Sequence, residues 1–294
     1  MQHLYENITI TILLYKESYE LISNCLNKLD GFKIILVDND NNSYLKKKIN
    51  KEFDIHKYIL NNRNLGWSKG VNQAILCCDT KFVLNLSADC HIEKESISKL
   101  YDGINKYENC FITTPTMIKT DNSLTHSGGT LIEKNLGYKV LNLEGDTCVD
   151  FPMTAAVLFR KNEMVELGLF DEDFFLYYPD IEIGRRVKST NKSIIQIFRS
   201  RAFHSMGRLK INNPIKRVFF RNYFYTLDEL IYYHKVDLHL KPMENLKNEI
   251  PNLFKKMFLN LFIFKFADVV VCFSKIFAYF QFKNKYLKKK IIEK

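Results

Sequence analysis

The chain has 294 residues, 46% hydrophobic and 26% charged. It can therefore bury a sizeable core, which excludes a wholly disordered protein and fits one large domain, or one with an appendage. Half of its net charge of +10 lies in the ending KNKYLKKKIIEK, read as a solvated tail or as a contact for anionic surfaces.

The opening MQHLYENITITILLYKE lacks a basic n-region and alternates apolar residues with Thr, so it reads as leading into a strand and not as a signal peptide. ITITILL (8–14) is apolar and β-branched, a buried strand. SYELISNCLNKL follows as a helix. Ser18 is its N-cap, and Leu21, Ile22, Cys25, Leu26 and Leu29 share one face. KIILV (33–37), IHKYIL (55–60) and KFVLNL (81–86) read as further strands. A polar helix over 43–51 and a helix over 67–76 separate them. Strands alternating with helices predict right-handed crossovers and a mainly parallel sheet.

Ligands of such sheets bind beyond the carboxyl ends of the strands. Those ends carry Tyr15-Lys16, Asp38-Asn39-Asp40, Arg63-Asn64 with Gly66, and Ser87-Ala88-Asp89. All four suit a base, a ribose or a diphosphate. GxGxxG is absent, and so is GxxxxGK followed by Ser or Thr, which disfavours a nicotinamide cofactor or a P-loop NTPase. Asp38 can accept from a pyrimidine N–H or a ribose hydroxyl; the plainer reading is a turn-former in DNDNN.

FDEDFFLYYPDIEIGRRV (170–187) sets five acids among large aromatics, with two arginines behind them. Asp180, after Pro179, reads as the start of a helix, either an N-cap or a base held beside an apolar wall of Phe174 to Tyr178. Glu182 can pair with Arg185 or Arg186 at i,i+3 or i,i+4. PIKRVFFRNYFYTLDELIYYHK reads as a helix opened by Pro214. LFKKMFLNLFIFKFADVVVCFSKIFAYFQF (253–282) is rich in Phe, but Lys265, Asp268 and Lys275 interrupt it, and no run reaches about eighteen apolar residues. It reads as an in-plane membrane helix, or as one packed on the catalytic domain or on a partner in a homodimer. Seven cysteines, odd in number and without metal-site spacing, fit reduced thiols in a cytoplasmic protein.

In order, ITILLYKE, IILVDNDNN, NNRNLGWSKGVNQAI and VLNLSADCHI resemble family 2 glycosyltransferases, in their bacterial rhamnosyltransferase-like branch. GLFDEDFFLYYPDIEIGRRV resembles that branch's GxFDExFFxYxEDxDLxxR segment, and RAFHSMG its xxHxxG element. The resemblance covers about residues 8 to 225. It implies a GT-A fold: a Rossmann-like α/β domain whose mainly parallel mixed sheet is flanked by helices. A catalytic domain over 1–210 is expected, with a nucleotide-binding half (1–90) and an acceptor-binding half (91–210). A helical C-terminal region follows over 211–294.

It implies inverting transfer from a UDP- or dTDP-sugar, rhamnose among the sugars, to a hydroxyl of a glycan or lipid-linked glycan in cell-surface polysaccharide synthesis. Asp38 would contact the nucleobase. Tyr15, Asn39, Arg63, Asn64, Gly66, Trp67, Asn72 and Ser87 would complete the donor site. Asp89 would be the remaining acid of the DxD-type metal element, and His204 would help hold Mn²⁺ or Mg²⁺; the plainer reading of His204 is a hydrogen-bonded residue before a turn. Asp180 would be the general base. Thr154, Tyr178, Glu182, Arg217 and Arg221 would lie on the acceptor or diphosphate side, although Arg217 and Arg221 equally suit the surface of a packed helix.

Three departures stand out. The metal element reads Ser87-Ala88-Asp89, with one acid. The usual Glu-Asp pair reads Pro179-Asp180. The acceptor-side segment reads Met153-Thr154-Ala155-Ala156. The lost acid motivates an alternative, a non-catalytic nucleotide-sugar or glycan-binding relative. A nucleic-acid-binding protein is disfavoured, because the lysine cluster is confined to the tail and no nucleic-acid motif appears. The expected location is the cytoplasm, at the inner face of the membrane if the C-terminal region docks there.

Overall fold

The structure is a computed structural model that describes residues 1–119, 123–124, 127–132, 137–140, 144–205, 211–236 and 242–287. The lysines and other residues at 288–294, and Met206-Gly207 after His204, lie outside the described residues.

The chain divides into two compact units. The first holds the described residues of 1–172 and 179–205; the second holds 173–178 and the described residues from 211 onward. The first unit begins with α1 (Gln2–Asn7), β1 (Ile8–Leu14), α2 (Tyr19–Leu26), β2 (Lys33–Asp38), α3 (Ser43–Glu52), β3 (Lys57–Leu60), α4 (Trp67–Cys77) and β4 (Phe82–Ser87). It continues with β5 (Cys90–Ile92), α5 (Lys94–Lys106), β6 (Cys110–Ile118), β7 (Gly129–Ile132), β8 (Gly137–Val140), β9 (Thr147–Val149) and β10 (Ala156–Arg160). It closes with α6 (Lys161–Glu166), α7 (Pro179–Lys188) and β11 (Ser193–His204).

Among the described residues, nine strands make one sheet in the order β3-β2-β1-β4-β10-β6-β11-β5, with β9 also on β11. β1 to β4 are parallel, β10 is antiparallel to β4 and β6, and β11 runs parallel to β6. The strands alternate between two buried faces, as their near-continuous apolar runs require. Ile34 and Leu36 join Ile10, Ile12 and the inner faces of α2, α3 and α5. Ile35 and Val37 join Val71 and Ile75 of α4, Met164 of α6 and Ile183 of α7. Local signals set the helix starts: Ser18 accepts from the Leu21 N–H, and Asn42 from the Leu45 N–H.

The second unit contains α8 (Pro214–Lys235), α9 (Pro242–Phe262), α10 (Phe266–Phe282) and a π-helical turn over Lys283–Leu287. Asn213 caps α8 by accepting from the Lys216 N–H, and Pro214 fills the first turn. The region read as one helix over 253–282 is two. α9 ends at Phe262, and α10 starts at Phe266 after a turn in which Phe264 takes a left-handed φ of 57°. Leu253 and Met257 of α9 pack on Cys272 and Ile276 of α10. Among the described residues, no helix is long and apolar enough to cross a membrane.

The aromatic run 173–178 packs within the helical unit. Its backbone is pinned to α8: Asp228, fully buried, accepts from the N–H groups of Phe175 (3.1 Å), Leu176 (2.9 Å) and Tyr177 (2.8 Å). Phe175 stacks on Phe224, and the Tyr178 hydroxyl donates to Glu229 at 3.0 Å. These rings cover α8, which is how a run of large aromatics leaves water.

Candidate active site

Because β1 to β4 are parallel, their carboxyl ends share one edge of the sheet. Register fixes two of the expected residues beside β1: Asp38 pairs with Leu14, and Ser87 with Leu13. Asp38 is 1% exposed. Its Oδ1 accepts from the Asp40 N–H at 2.7 Å and its Oδ2 from the Tyr58 hydroxyl at 3.0 Å. The turn-former and ligand readings are thus compatible, since each carboxylate oxygen accepts more than one bond. Tyr15, half-buried at the end of β1, donates its N–H to the Glu17 carboxylate.

Asn39 works mainly within the protein. Its amide donates to Asn64 Oδ1 (3.2 Å) and to the Gly66 carbonyl (3.1 Å), and accepts from Asn61 (2.9 Å). Asn64 also accepts from the Gly66 N–H at 2.9 Å. Gly66 caps α4 with a φ of 89°, a conformation glycine adopts without strain. The network therefore fixes the amino end of α4, where backbone N–H groups favour an anion. Arg63 is exposed just before it. Trp67 packs edge-on to Phe170. Asn72 is buried and bonds both ways with the Phe170 backbone, donating to its carbonyl at 2.8 Å and accepting from its N–H at 3.1 Å. In this structure Asn72 ties α4 to the Phe170 stretch.

Asp89 and His204 lie 115 positions apart in sequence and meet in space. β5 pairs antiparallel with the end of β11, with His204 opposite Cys90. This brings His204 Nε2 to 3.3 Å from Asp89 Oδ1, both side chains 18% exposed. Ser205 adds a hydroxyl 3.3 Å from Asp89 Oδ2. β11 runs parallel to β4, so the pair lies toward the same sheet edge as Asp38 and Ser87. Among the described residues, no three His, Cys, Asp or Glu side chains converge as a ready-made metal cage.

Asp180 opens α7, as expected. Its Oδ1 accepts from the Ile181 N–H at 3.0 Å. Burial pushes its carboxyl up to about 6, against backbone N–H groups that pull it down. A carboxyl so shifted, at a helix start, suits a base that takes a proton near neutral pH. The C-terminus of α7 leads into the start of β11, so Asp180 is at the helix end away from the amino edge of the sheet. Gly184 permits this seat: a Cβ there would lie 2.3 Å from the Asp150 carbonyl.

Glu182 and Arg186 form the structural brace that their spacing predicted. Arg186 donates through Nε at 2.6 Å and Nη2 at 2.8 Å to the two Glu182 oxygens. It also donates to the carbonyls of Leu167 (2.7 Å) and Leu169 (2.6 Å). Thr154 is held from beneath: its carbonyl accepts from Asn85 at 2.8 Å. Tyr178, Arg217 and Arg221 belong to the helical unit. Tyr178 bonds Glu229, Arg217 Nη1 lies 3.5 Å from the Ile211 carbonyl, and Arg221 is exposed.

Sequence reasoning missed Tyr58 and Asn85. Tyr58 reaches Asp38 from β3, and Asn85 is buried on β4 between Thr11 and the Thr154 carbonyl; their signal was a polar or hydroxyl group within an apolar strand. A cavity lined by Asp30, Lys33, Glu52 and His56 lies at the amino end of β2, the edge opposite to these residues.

Residues 9–164 match the family described as glycosyl transferase family 2. The low-salt glycan biosynthesis hexosyltransferase Agl10 of Haloferax volcanii is 30% identical over 210 residues, 66% of this chain and 66% of that protein. GalNAc-T7, solved with UDP, GalNAc and Mn²⁺, superposes with a TM-score of 0.59 at 15% identity, over 77% of this chain and 51% of its own. The mannosyltransferase PcManGT from Pyrobaculum calidifontis, solved with GDP-Man and Mn²⁺, superposes with a TM-score of 0.54 at 10% identity, over 80% of this chain and 66% of its own. This chain thus spans just under two thirds of the length of Agl10 and about half that of GalNAc-T7. The two solved structures establish the GT-A fold, and with more than half of its residues inside the matched region the chain belongs to glycosyl transferase family 2.

Proposed function

We propose that this chain transfers a sugar, with inversion, from a nucleoside-diphosphate donor to a hydroxyl of a glycan or lipid-linked glycan in cell-surface polysaccharide synthesis. The observation that carries the reading is the meeting of Asp89 and His204 beside the strand ends that bear Asp38 and Ser87. UDP- and dTDP-sugars are the donors to test first, rhamnose among them, because Asp38 offers acceptors to a pyrimidine N–H.

Asp38 would orient the base, and the amino end of α4 would favour the diphosphate. Asp180 would take the proton of the incoming hydroxyl as its oxygen bonds the anomeric carbon and the bond to the diphosphate oxygen breaks. One displacement from the opposite side inverts that carbon. Asp89 and His204 fit a divalent cation: an oxygen and an imidazole donor converge, a set that favours Mn²⁺ over Mg²⁺, and diphosphate oxygens would fill the remaining positions. Such a cation, when bound, neutralises charge on the departing diphosphate. The single acid of Ser87-Ala88-Asp89 is thereby supplemented, which favours an enzyme over a binding-only relative.

Asp180→Asn is expected to lower transfer by about 10³-fold while calorimetry still records donor binding. In the wild type, kcat should rise with pH through about 6, where the Asp180 carboxyl loses its proton, and then level off. Wild-type turnover by Asp180→Asn would overturn the assignment.

A further inference from the structure

More than half of the exposed large apolar side chains among the described residues lie between positions 254 and 280. They are densest where α9 turns into α10. Phe258, Leu259, Phe262, Ile263, Phe264 and Phe266 are all exposed, Phe262 at 77% and Phe264 at 78%. The hairpin is ordered from below. Leu253, Met257, Cys272 and Ile276 pack together, the Lys265 N–H donates to the Asn260 carbonyl at 2.8 Å, and the Ile263 N–H to the Leu259 carbonyl at 3.1 Å. The tip is therefore a formed turn with its rings pointing outward.

The turn itself departs from what solubility would select. A helix usually leaves through glycine or asparagine in the left-handed region, and here that conformation falls on Phe264. An exposed ring in a conformation that costs a bulky residue energy calls for a role outside the folded chain.

Charge selects the occupant. Residues 250–267 contain no Asp or Glu, while Lys255, Lys256 and Lys265 flank the rings and are exposed. A two-fold contact with a second copy would set these lysines against their own equivalents, a like-charge arrangement. Aromatic and aliphatic residues rimmed by lysine fit the boundary between headgroups and acyl chains, where the rings leave water and the ammonium groups meet anionic lipid.

We propose that the α9–α10 turn is a membrane-docking tip that inserts its rings into an anionic lipid surface. It replaces the in-plane helix expected over 253–282. The hairpin would meet the bilayer end-on through 258–266. The proposal concerns lipid contact alone and stands apart from the chemistry assigned above, because its test reads vesicle binding and not transfer.

The test is flotation of the full chain with phosphatidylcholine vesicles, with or without about 30% phosphatidylglycerol, in about 0.1 M salt. Wild type should float with the anionic vesicles. The pair Phe262→Asp and Phe264→Asp should lower the bound fraction at least about tenfold. Both positions are exposed and Asp tolerates a left-handed φ, so circular dichroism should be unchanged. The triple Lys255→Gln, Lys256→Gln, Lys265→Gln should weaken binding to anionic vesicles by about 10- to 100-fold and leave the weaker binding to pure phosphatidylcholine in place. All variants keep the lysines of the tail, so a loss is assigned to the tip. Wild type staying at the bottom of the gradient would overturn the proposal, as would equal flotation of the Asp pair. So would a dimer in sedimentation velocity that the Asp pair dissolves while wild type ignores vesicles.

Discussion

In the sheet-containing unit Asp180 opens α7; in the helical unit Asp228 lies within α8. Burial pushes both carboxyls up to about 6. Their surroundings differ. Asp228 accepts from three consecutive backbone N–H groups and serves as a staple for the segment 175–177. Asp180 is bonded by the backbone of its own helix start. The same chemical group, fully buried at Asp228 and half-buried at Asp180, is a structural fastener where its acceptors are filled from a distant segment. It is a candidate base where only local N–H groups reach it. Burial and a shifted pKa therefore do not identify a catalytic aspartate by themselves; the partners decide.

The contrast breaks most sharply at Asp228. Asp228→Ala leaves three half-buried backbone donors without their acceptor and is expected to cost about 3 kcal/mol by urea denaturation, after the relief of a buried charge is counted. A loss under 1 kcal/mol would mean that the staple is dispensable. Arg186 offers an intermediate case. Arg186→Met removes the bidentate pair with Glu182 and both carbonyl contacts, and should cost about 2 kcal/mol in the same assay. Donor binding by calorimetry should survive, because these bonds join Arg186 to Glu182 and to the Leu167 and Leu169 carbonyls, and to none of the residues placed at the strand ends.

The smallest effect sharpens the comparison from the other side. A carboxyl that titrates near 6 in the folded chain, against an ordinary 3.8, holds a proton that the unfolded chain has released. Stability from this group is thus greatest below about pH 4 and declines as pH rises to about 6. Asp180→Asn removes that decline while keeping an oxygen for the Ile181 N–H. It should raise stability at pH 7.5 by about 1–2 kcal/mol and flatten, by roughly half, the fall between pH 4 and 6 that Asp228 also contributes to. An equal slope in variant and wild type would show that the half-buried Asp180 carboxyl is more solvated in solution than it is here.

The strands and helices of the first ninety residues were legible because their β-branched runs and caps are local. β1 spans the expected 8–14, and Ser18 and Pro214 sit where helix starts were read. The edge carrying Asp38 and Ser87 followed from alternation of strand and helix. The nearness of Asp89 and His204 came through the family resemblance, since nothing in their spacing announces that β5 returns alongside β11. What covers the aromatic run 173–178 was not legible for a related reason. Its rings signal burial, but its cover is α8, about fifty positions later, and Asp228 reads in sequence as one more polar residue of that helix. The break at Ile263–Lys265 carries neither Gly nor Pro, so a turn made by Phe264 was invisible to any rule of local propensity.

The Asn72 side chain joins α4 to the Phe170 backbone 98 residues further on. A single amide thus bolts the helix that follows the Gly66 turn to the stretch that precedes α7. The two cannot shift independently without breaking both bonds. Any relative motion within this unit must then be carried by other segments, with this crosspiece as the fixed bed against which they move.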